Sequence, residues 1–279
     1  MNVAIIGLGL IGGSIALELK KNGFSKKTIG VDKNISHCEK AIALNIIDEI
    51  QNLENAVLKS DLVIISTPVD ASTQIITSIL DIVDKQIVMD VGSTKYALTN
   101  QIKNHLKRGN FVATHPIAGT EFSGPTAAQY KLFKGKVTII CDQKDSSPNA
   151  LNTVKEIYRI LEMKTIFMTS KDHDVHSAYV SHISHISSFS LALSVMDKEK
   201  DEKNILNMAG SGFESTVRLA KSNKDMWTPI FSENKENILE VLENYIGKLN
   251  DFKKAIKNND KSSMNRLIEN ANGIRKILK

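Results

Sequence analysis

The sequence is poor in cysteine, proline and aromatic residues, and it contains no long apolar run. Its two cysteines, Cys38 and Cys141, have neither metal-site nor CxxC spacing, so we expect reduced structural thiols. No segment approaches the roughly 20 consecutive apolar residues of a membrane span, and no basic segment precedes the first apolar run at residues 3–6. These absences argue against a disulfide scaffold and a membrane protein, and they favour a cytoplasmic location.

The net charge is small, +5 at pH 7, and the lysines are spread along the chain between acidic residues. A nucleic-acid-binding protein would show a denser basic stripe with interleaved aromatic residues. A modest positive excess can still raise the local concentration of small anionic ligands. We therefore expect no nucleic acid among the partners.

Short β-branched runs alternate with helical patterns over the first 169 residues. This alternation predicts βαβ units and a doubly wound parallel sheet with helices on both faces. After Thr169 the pattern changes to helices, and residues 172–196 lack glycine and proline, which predicts one long helix. We predict an α/β domain over residues 1–169 and an all-helical domain over residues 170–279. Strands are predicted at residues 2–6, 27–31, 61–66, 86–91, 110–114, 136–141 and 164–168, the last as an edge strand.

A glycine-rich turn of the form G-x-G-x-x-G follows the first predicted strand and opens a helix. In this pattern the first glycine allows a tight turn, the second lets the backbone approach a pyrophosphate, and the third permits close helix–sheet packing. The N-terminus of the helix offers unpaired N–H groups and a favourable dipole to phosphates. The turn therefore predicts a dinucleotide site formed by Gly7, Leu8, Gly9, Leu10, Ile11 and Gly12.

Asp32 ends the second predicted strand, twenty residues beyond Gly12. A carboxylate at this position accepts hydrogen bonds from ribose hydroxyls and repels a 2′-phosphate. Lys33 is a neighbouring cation that partly offsets this repulsion. The pair nevertheless favours NAD over NADP as the cofactor.

Polar residues follow two further strands, at Ser66-Thr67-Pro68 and at Ser93. Ligands of open α/β sheets bind at the carboxyl ends of the strands, so these residues should line the cofactor cleft. Helix N-capping by Thr67 or Ser93 is an alternative of at least equal weight for either hydroxyl.

The loop 115–125 follows the next strand and concentrates a histidine, a carboxylate, hydroxyls and turn residues. A single histidine is more often structural than functional. His115, however, lies at the same predicted sheet edge as the cofactor motif, so we interpret it as functional.

These motifs together resemble those of the prephenate/arogenate dehydrogenase family over nearly the whole chain. The resemblance implies a Rossmann-type domain followed by a helical dimerisation domain, and a homodimer formed through the latter. It implies NAD-dependent oxidative decarboxylation of prephenate to 4-hydroxyphenylpyruvate in tyrosine biosynthesis. The matching segments are GLGLIGGS (7–14), STPVD (66–70), DVGSTK (90–95), HPIAGTEFSGP (115–125), SHISH (181–185) and GFESTVRLAKS (212–222).

The resemblance also implies roles for individual residues. His115 matches the histidine that withdraws the proton of the C4 hydroxyl, and Ser93 matches the serine that orients this histidine. Glu121 resembles an acidic residue at the entrance to the site, and Arg218 matches the arginine that pairs with a substrate carboxylate. An imidazole suits proton transfer near neutral pH, and a guanidinium can hold a carboxylate bidentately.

Two pairs of histidines leave more than one interpretation. His182 and His185 share a helix face, and His185 resembles the family histidine near the substrate. We predict that both bind substrate, with a purely structural role equally open for His182. A zinc pair is disfavoured because no Cys, Asp or Glu completes a ligand set, so no metal is expected. His173 and His176 are expected on the surface.

Two alternatives to prephenate oxidation stay open at this point. Arogenate dehydrogenases act on a substrate with an amino group in place of the side-chain keto group, and the sequence does not separate the two substrates. Glu214 stands where relatives often have a basic residue, which argues against a second side-chain cation for the substrate but leaves Arg218 unaffected. A non-catalytic NAD-binding sensor would keep the glycine turn but would need neither His115 nor Arg218.

Overall fold

The computed structural model describes residues 1–202 and 204–277, and its described part contains one eight-stranded sheet with the order β3-β2-β1-β4-β5-β6-β7-β8. All neighbouring strands are parallel except β6 and β7. The strands are β1 (Asn2–Ile6), β2 (Lys27–Val31), β3 (Glu49–Ile50), β4 (Leu62–Ile65), β5 (Ile87–Asp90), β6 (Phe111–Pro116), β7 (Val137–Cys141) and β8 (Lys164–Met168).

Helices cover both faces of the sheet, as predicted for a doubly wound fold. One buried cluster joins odd residues of β1, such as Ile5, to Leu19 and Ile157, while a second joins Ile6 to Ile79. The helices are α1 (Leu10–Lys21), α2 (Ile35–Ala43), α3 (Leu53–Leu58), α4 (Val69–Ile82), α5 (Tyr96–Gln101), α6 (Pro148–Ile160), α7 (Ser170–Ser177), α8 (Ile183–Asp201), α9 (Ser211–Val217), α10 (Lys224–Glu233), α11 (Lys235–Lys257) and α12 (Lys261–Asn272).

The direction of β7 corrects the expectation of an entirely parallel sheet. A parallel connection requires a crossover segment, usually an α-helix, whereas antiparallel neighbours need none. Residues 117–136 between β6 and β7 contain only a 3-10 turn at Pro125–Ala127, so β7 returns antiparallel to β6. The edge position of β8 is confirmed.

The single long helix predicted at residues 172–196 is wrong. The chain forms α7, then a π-helical turn at Ala178–His182, and then α8. A π turn adds one residue per turn without needing glycine or proline, so the sequence pattern does not reveal it, and such turns are frequent at functional sites. The turn ends at His182, one of the predicted substrate-binding residues.

The chain divides into two compact units, Met1–Asn234 and Lys235–Lys279. The second unit contains α11 and α12, and the Asp260 side chain caps α12 by accepting the Ser263 N–H at 3.0 Å. The last two residues of the predicted helical domain, 278 and 279, lie outside the described part of the chain. None of the described helices is both long and apolar enough to cross a membrane. Cys38 and Cys141 are buried free thiols, as expected.

Candidate active site

The glycine turn between β1 and α1 has the geometry that a dinucleotide pyrophosphate needs. Gly7 has a φ of +97°, and a Cβ there would lie 2.5 Å from the Ser66 carbonyl oxygen. A Cβ on Gly12 would lie 2.3 Å from the Gly7 carbonyl oxygen. Gly9 has open space around it and forms the N-cap of α1 without a side-chain hydrogen bond. The turn therefore leaves a cradle at the helix N-terminus that a phosphate group would fill.

The side chains within the turn point away from this cradle. Leu8 and Leu10 are buried in the core, and Ile11 packs against that core from a partly buried position. The predicted contribution of Leu8, Leu10 and Ile11 to cofactor binding is thus confined to their backbone.

Asp32 is held beside the glycine turn at the end of β2. Its Oδ2 accepts the Leu8 N–H at 2.9 Å, and its Oδ1 accepts the Asn34 N–H at 2.9 Å. The side chain is 11% exposed, and His37 Nδ1 lies 3.4 Å from Oδ2. A carboxylate fixed in this way fits the ribose hydroxyls of NAD.

Ser66, Thr67 and Pro68 follow β4 at the same sheet edge. The Ser66 N–H donates to the Ile6 carbonyl at 2.7 Å, and Thr67 Oγ1 lies 2.8 Å from Ser72 Oγ. The capping alternative is wrong for both hydroxyls, because the N-caps of α4 and α5 are Pro68 and Lys95, neither with a side-chain cap.

His115 lies near the end of β6 and begins a chain of hydrogen bonds. Its Nδ1 is 2.8 Å from His173 Nε2, and His173 Nδ1 is 2.7 Å from Asp174 Oδ1. Oδ1 of Asp174 also accepts the Lys95 N–H at 2.8 Å, and Oδ2 accepts the Tyr96 N–H at 2.8 Å. A carboxylate on α7 thus caps α5 and is linked through one imidazole to a second.

The surface location predicted for His173 is wrong, because its exposure is 0%, whereas His176 is exposed as expected. One face of α7, at positions i, i+3, i+4 and i+7, carries only polar residues, and such a pattern in a sequence is typical of a solvent-exposed face. In the structure this face is buried, because its polar groups form hydrogen bonds with one another and with neighbouring elements. For example, Thr99 Oγ1 donates to Ser170 Oγ at 2.9 Å. The buried residues of α7 are Ser170, His173, Asp174 and Ser177.

The surroundings of His115 keep its imidazole neutral. Burial lowers its pKa well below the ordinary value, and the positive charge of Lys95, like any charge on His173 or His182, acts in the same direction. A neutral imidazole can accept a proton at neutral pH. His115 therefore has the charge state of a general base.

A buried ion pair supports this part of the site. The Lys95 ammonium contacts Asp90 Oδ2, and both side chains are almost fully buried. Asp90 Oδ1 also accepts the Thr114 N–H at 3.1 Å, and Oδ2 accepts the Gly92 N–H at 3.0 Å. Asp90 therefore ties the end of β5 to the strand residue that precedes His115.

Ser93 is half-buried in the loop between β5 and α5. Within residues 1–202 and 204–277, no hydrogen bond joins Ser93 to His115, and the partner of the His115 ring is His173. Glu121 is exposed on the loop after β6 and lines an open cleft of about 560 Å³ that also includes Gln129. The Gln129 N–H donates to Ser14 Oγ on α1 at 2.9 Å, so this cleft lies beside α1.

The remaining predicted residues gather around Trp227. His185 stacks on this ring with a centroid distance of 3.4 Å, and His182 meets it edge-on at 5.9 Å. Burial lowers the pKa of His182 to about 4. His185 Nδ1 donates to the Ser181 carbonyl at 3.0 Å, which leaves its Nε2 as an acceptor.

Arg218 is exposed and lies near His185. Burial is the main cause that lowers the pKa of His185, and the positive charge of Arg218 contributes in the same direction. The Ser188 hydroxyl donates to the Thr216 carbonyl at 3.0 Å, which fixes α8 against the segment that leads to Arg218. No ion pair engages Arg218 in the described part of the chain, so its guanidinium is available to an anionic ligand. The same part holds no cluster of three or more His, Cys, Asp or Glu suited to a metal ion.

A glycine turn that is open at the helix N-terminus, a carboxylate fixed beside it and a neutral histidine at the same sheet edge are typical of an NAD-dependent dehydrogenase. Two family models match the sequence. "Prephenate dehydrogenase, nucleotide-binding domain" matches residues 15–167, and "Prephenate dehydrogenase, dimerization domain" matches residues 169–270. The chain belongs to the prephenate dehydrogenase family.

Individual relatives agree with this assignment. The prephenate dehydrogenase of Bacillus subtilis is 29% identical over 277 residues, which cover 98% of this chain and 75% of the relative. The solved prephenate dehydrogenase of Aquifex aeolicus, in complex with hydroxyphenyl propionate and NAD+, is 32% identical with a TM-score of 0.89, covering 99% of this chain and 98% of the other. The Synechocystis arogenate dehydrogenase is 26% identical with a TM-score of 0.79, covering 100% of both chains.

Proposed function

We propose that the protein catalyses the oxidative decarboxylation of prephenate to 4-hydroxyphenylpyruvate. The observation that carries this proposal is the neutral His115 at the sheet edge that also holds the glycine turn and Asp32. The two family models and the ligands named for the Aquifex relative support it. The test is an assay of the purified protein with prephenate and NAD+, in which NADH and CO2 should form together.

In this reaction His115 accepts the proton of the C4 hydroxyl at Nε2. Loss of that proton raises the electron density at C4, which promotes departure of the hydride. Bound NAD+ supplies the hydride acceptor. The ring carboxylate leaves as CO2, and its electron pair completes the aromatic ring, so the proton, hydride and carbon balance. General base catalysis of this kind contributes typically about 10²- to 10⁴-fold.

Ser93, Glu121, His182 and His185 stay proposals for the same site. Ser93 follows β5 near the cofactor edge and offers a hydroxyl to the substrate or to NAD. Glu121 lines the open cleft beside α1, which suits a position at the entrance. His185, with a free Nε2, can accept a hydrogen bond, and neutral His182 adds no charge beside it. We propose, as from the sequence, that the dinucleotide-binding domain ends at residue 169 and that the helical substrate-binding domain begins at residue 170.

We expect Arg218 to bind a substrate carboxylate, so replacing it should weaken substrate binding. A hydrogen bond to a charged group is worth about 1.5–3 kcal/mol, so Arg218→Met should raise KM for prephenate by about 10- to 100-fold. The affinity for NAD+ should not change. Steady-state kinetics measures KM, and exposed Arg275→Met serves as the control. An unchanged KM would remove Arg218 from the substrate site.

We propose a homodimer formed through the helical part, in the cytoplasm. The support is the name of the family model over residues 169–270 and the apolar exposure of α8. Leu193 and Met196 are 61% and 55% exposed, and Ser188 is the one buried residue among the described residues of this helix. Exposed apolar surface of this kind indicates a partner surface. Sedimentation should give twice the chain mass for the wild type and a monomer for Leu193→Glu, and a monomeric wild type would refute the proposal.

The same assay that tests the reaction also separates prephenate from arogenate as substrate. The substrate with the larger kcat/KM is the preferred one. Because the two molecules differ only at the side chain, this comparison measures recognition of the keto group against the amino group. A non-catalytic sensor loses its support, since the chain belongs to an enzyme family and carries both His115 and Arg218.

A further inference from the structure

Two buried residues of α7, His173 and Asp174, have no role in the function proposed so far. They are 0% and 2% exposed, and they lie directly behind His115 in the hydrogen-bonded chain. A buried imidazole and a buried carboxylate are costly unless they are paired, and here each is paired with the other. Their arrangement decides which nitrogen of His115 carries the proton.

The direction of each hydrogen bond follows from Asp174 outward. The N–H groups of Lys95 and Tyr96 can only donate, so both carboxylate oxygens of Asp174 act as acceptors. Nδ1 of His173 lies 2.7 Å from Oδ1 and must therefore be the donor of that bond. In a neutral His173 the other nitrogen, Nε2, is then an acceptor.

The same logic fixes the state of His115. Its Nδ1 lies 2.8 Å from Nε2 of His173, so Nδ1 carries the proton and donates it. Nε2 of His115 then carries a lone pair on the side of the ring away from His173. This is the nitrogen that a substrate hydroxyl proton would reach.

We propose that His173 and Asp174 are positioning residues that hold His115 in this tautomer and accept its Nδ1 proton during the reaction. The inference rests on the proposed role of His115 as the base. As the hydroxyl proton binds Nε2 of His115, the Nδ1 proton crosses to Nε2 of His173. One proton enters the chain, none leaves, and the positive charge comes to rest on His173, adjacent to the Asp174 carboxylate. After product release the transfers reverse, and Nε2 of His115 returns its proton to water.

The electrostatics of the site support this movement of charge. The positive charge of Lys95 in the β5–α5 segment disfavours a second charge on the ring of His115, and any charge on His182 of the π turn or His173 of α7 does the same. His173, in contrast, touches the Asp174 carboxylate directly. The positive charge is therefore better placed one ring further from the substrate.

The variant Asp174→Asn tests whether the negative charge behind His173 is needed. Oδ1 of Asp174 accepts from both His173 Nδ1 and the Lys95 N–H, whereas Oδ2 accepts only from the Tyr96 N–H, so the amide oxygen of asparagine belongs at the Oδ1 position. His173 then keeps its tautomer but loses the adjacent negative charge that stabilises the transferred proton. We expect kcat to fall by about 10²-fold, with KM for prephenate and affinity for NAD+ unchanged.

The variant His173→Gln separates tautomer control from proton acceptance. Its amide oxygen can accept from His115 Nδ1 and its amide nitrogen can donate to Asp174, but it cannot take a proton. We expect a smaller loss of kcat, about 10-fold, and an acid limb of the pH profile moved to lower pH, because the charge then has to stay on His115, where it is disfavoured. Exposed His176→Gln, on the same helix, is the matched control and should keep wild-type kinetics.

Nitrogen-15 NMR of the histidine rings gives a readout that does not depend on turnover. In the wild-type protein with NAD+, the His115 signals should show a protonated Nδ1 and an unprotonated Nε2, and Asp174→Asn should keep this pattern. A wild-type ring protonated at Nε2, or an Asp174→Asn variant with kcat within about threefold of wild type, would overturn the relay. If Asp174→Asn does not fold, His173→Gln carries the kinetic test. A protein with the predicted tautomer but no oxidation of prephenate would instead refute the proposed function.

Discussion

Replacing His115 with asparagine is expected to lower kcat by about 10²- to 10⁴-fold without unfolding the protein. Asparagine retains a hydrogen-bonding group toward His173, but its amide cannot accept a proton from the substrate hydroxyl. The half-buried position of residue 115 and the smaller side chain leave β6 undisturbed. Affinity for NAD+ should stay at the wild-type value, because the cradle at Gly9 and the carboxylate of Asp32 do not depend on this ring.

Steady-state kinetics and calorimetric titration with NAD+ measure these two quantities on the same preparation. His176→Asn, an exposed histidine on α7, is the control and should behave as wild type. A His115→Asn variant with nearly normal kcat would show that another group accepts the proton.

The lowered pKa of His115 also predicts the pH profile of the wild-type enzyme. Catalysis needs the neutral ring, so activity is lost as the pH falls through the pKa of His115 in the folded protein. Because burial lowers this pKa, the acid limb of kcat/KM should lie below the ordinary imidazole value of about 6.5. His182 stays neutral over this range, because burial lowers its pKa to about 4.

Replacing Asp90 with asparagine is expected to give the largest loss of stability. The substitution leaves the ammonium of Lys95, whose side chain is 0% exposed, without a counter-charge in the interior. Removing one partner of a buried ion pair costs about 3–5 kcal/mol. The loss would also loosen the end of β5, where Asp90 accepts the N–H groups of Gly92 and Thr114.

Thermal unfolding followed by circular dichroism measures this loss as a fall in Tm. The double variant Asp90→Asn with Lys95→Met should recover part of the loss, because it removes the unpaired ammonium while the amide oxygen still accepts a backbone N–H. As a matched comparison, Asp48→Asn breaks the partly exposed ion pair with Lys20 and should cost less than about 1 kcal/mol. Equal losses in Asp90→Asn and Asp48→Asn would contradict this account of the interior.

The parts of the fold that depend on local pattern could be predicted from the sequence. The bounds of β1, β2 and β8 agree with the predicted strands, because their apolar runs are bounded by turn residues. The glycine turn and Asp32 could also be predicted from the sequence, because their roles follow from residue type and spacing. The short β3 and α3 were not predicted, because two to six residues give too little periodicity.

The parts that depend on distant contacts could not be predicted. Asp174 binds the N–H groups of Lys95 and Tyr96, which are 79 and 78 residues away in the chain. Nothing in the local sequence of α7 distinguishes such a buried polar face from a solvated one. The placement of Arg218 near His185 likewise depends on how α8 and the following segment pack. The hydrogen bonds at the polar centre of the site therefore depend on tertiary packing and could not be predicted. Several of the residues that take part in the site could still be identified from their sequence motifs.

The most direct test is the reaction of the purified wild-type protein with prephenate and NAD+, followed by NADH absorbance and released CO2. We predict equal amounts of NADH, CO2 and 4-hydroxyphenylpyruvate, and a rate lost in His115→Asn. NAD+ that binds tightly while neither prephenate nor arogenate is oxidised would contradict the proposed function.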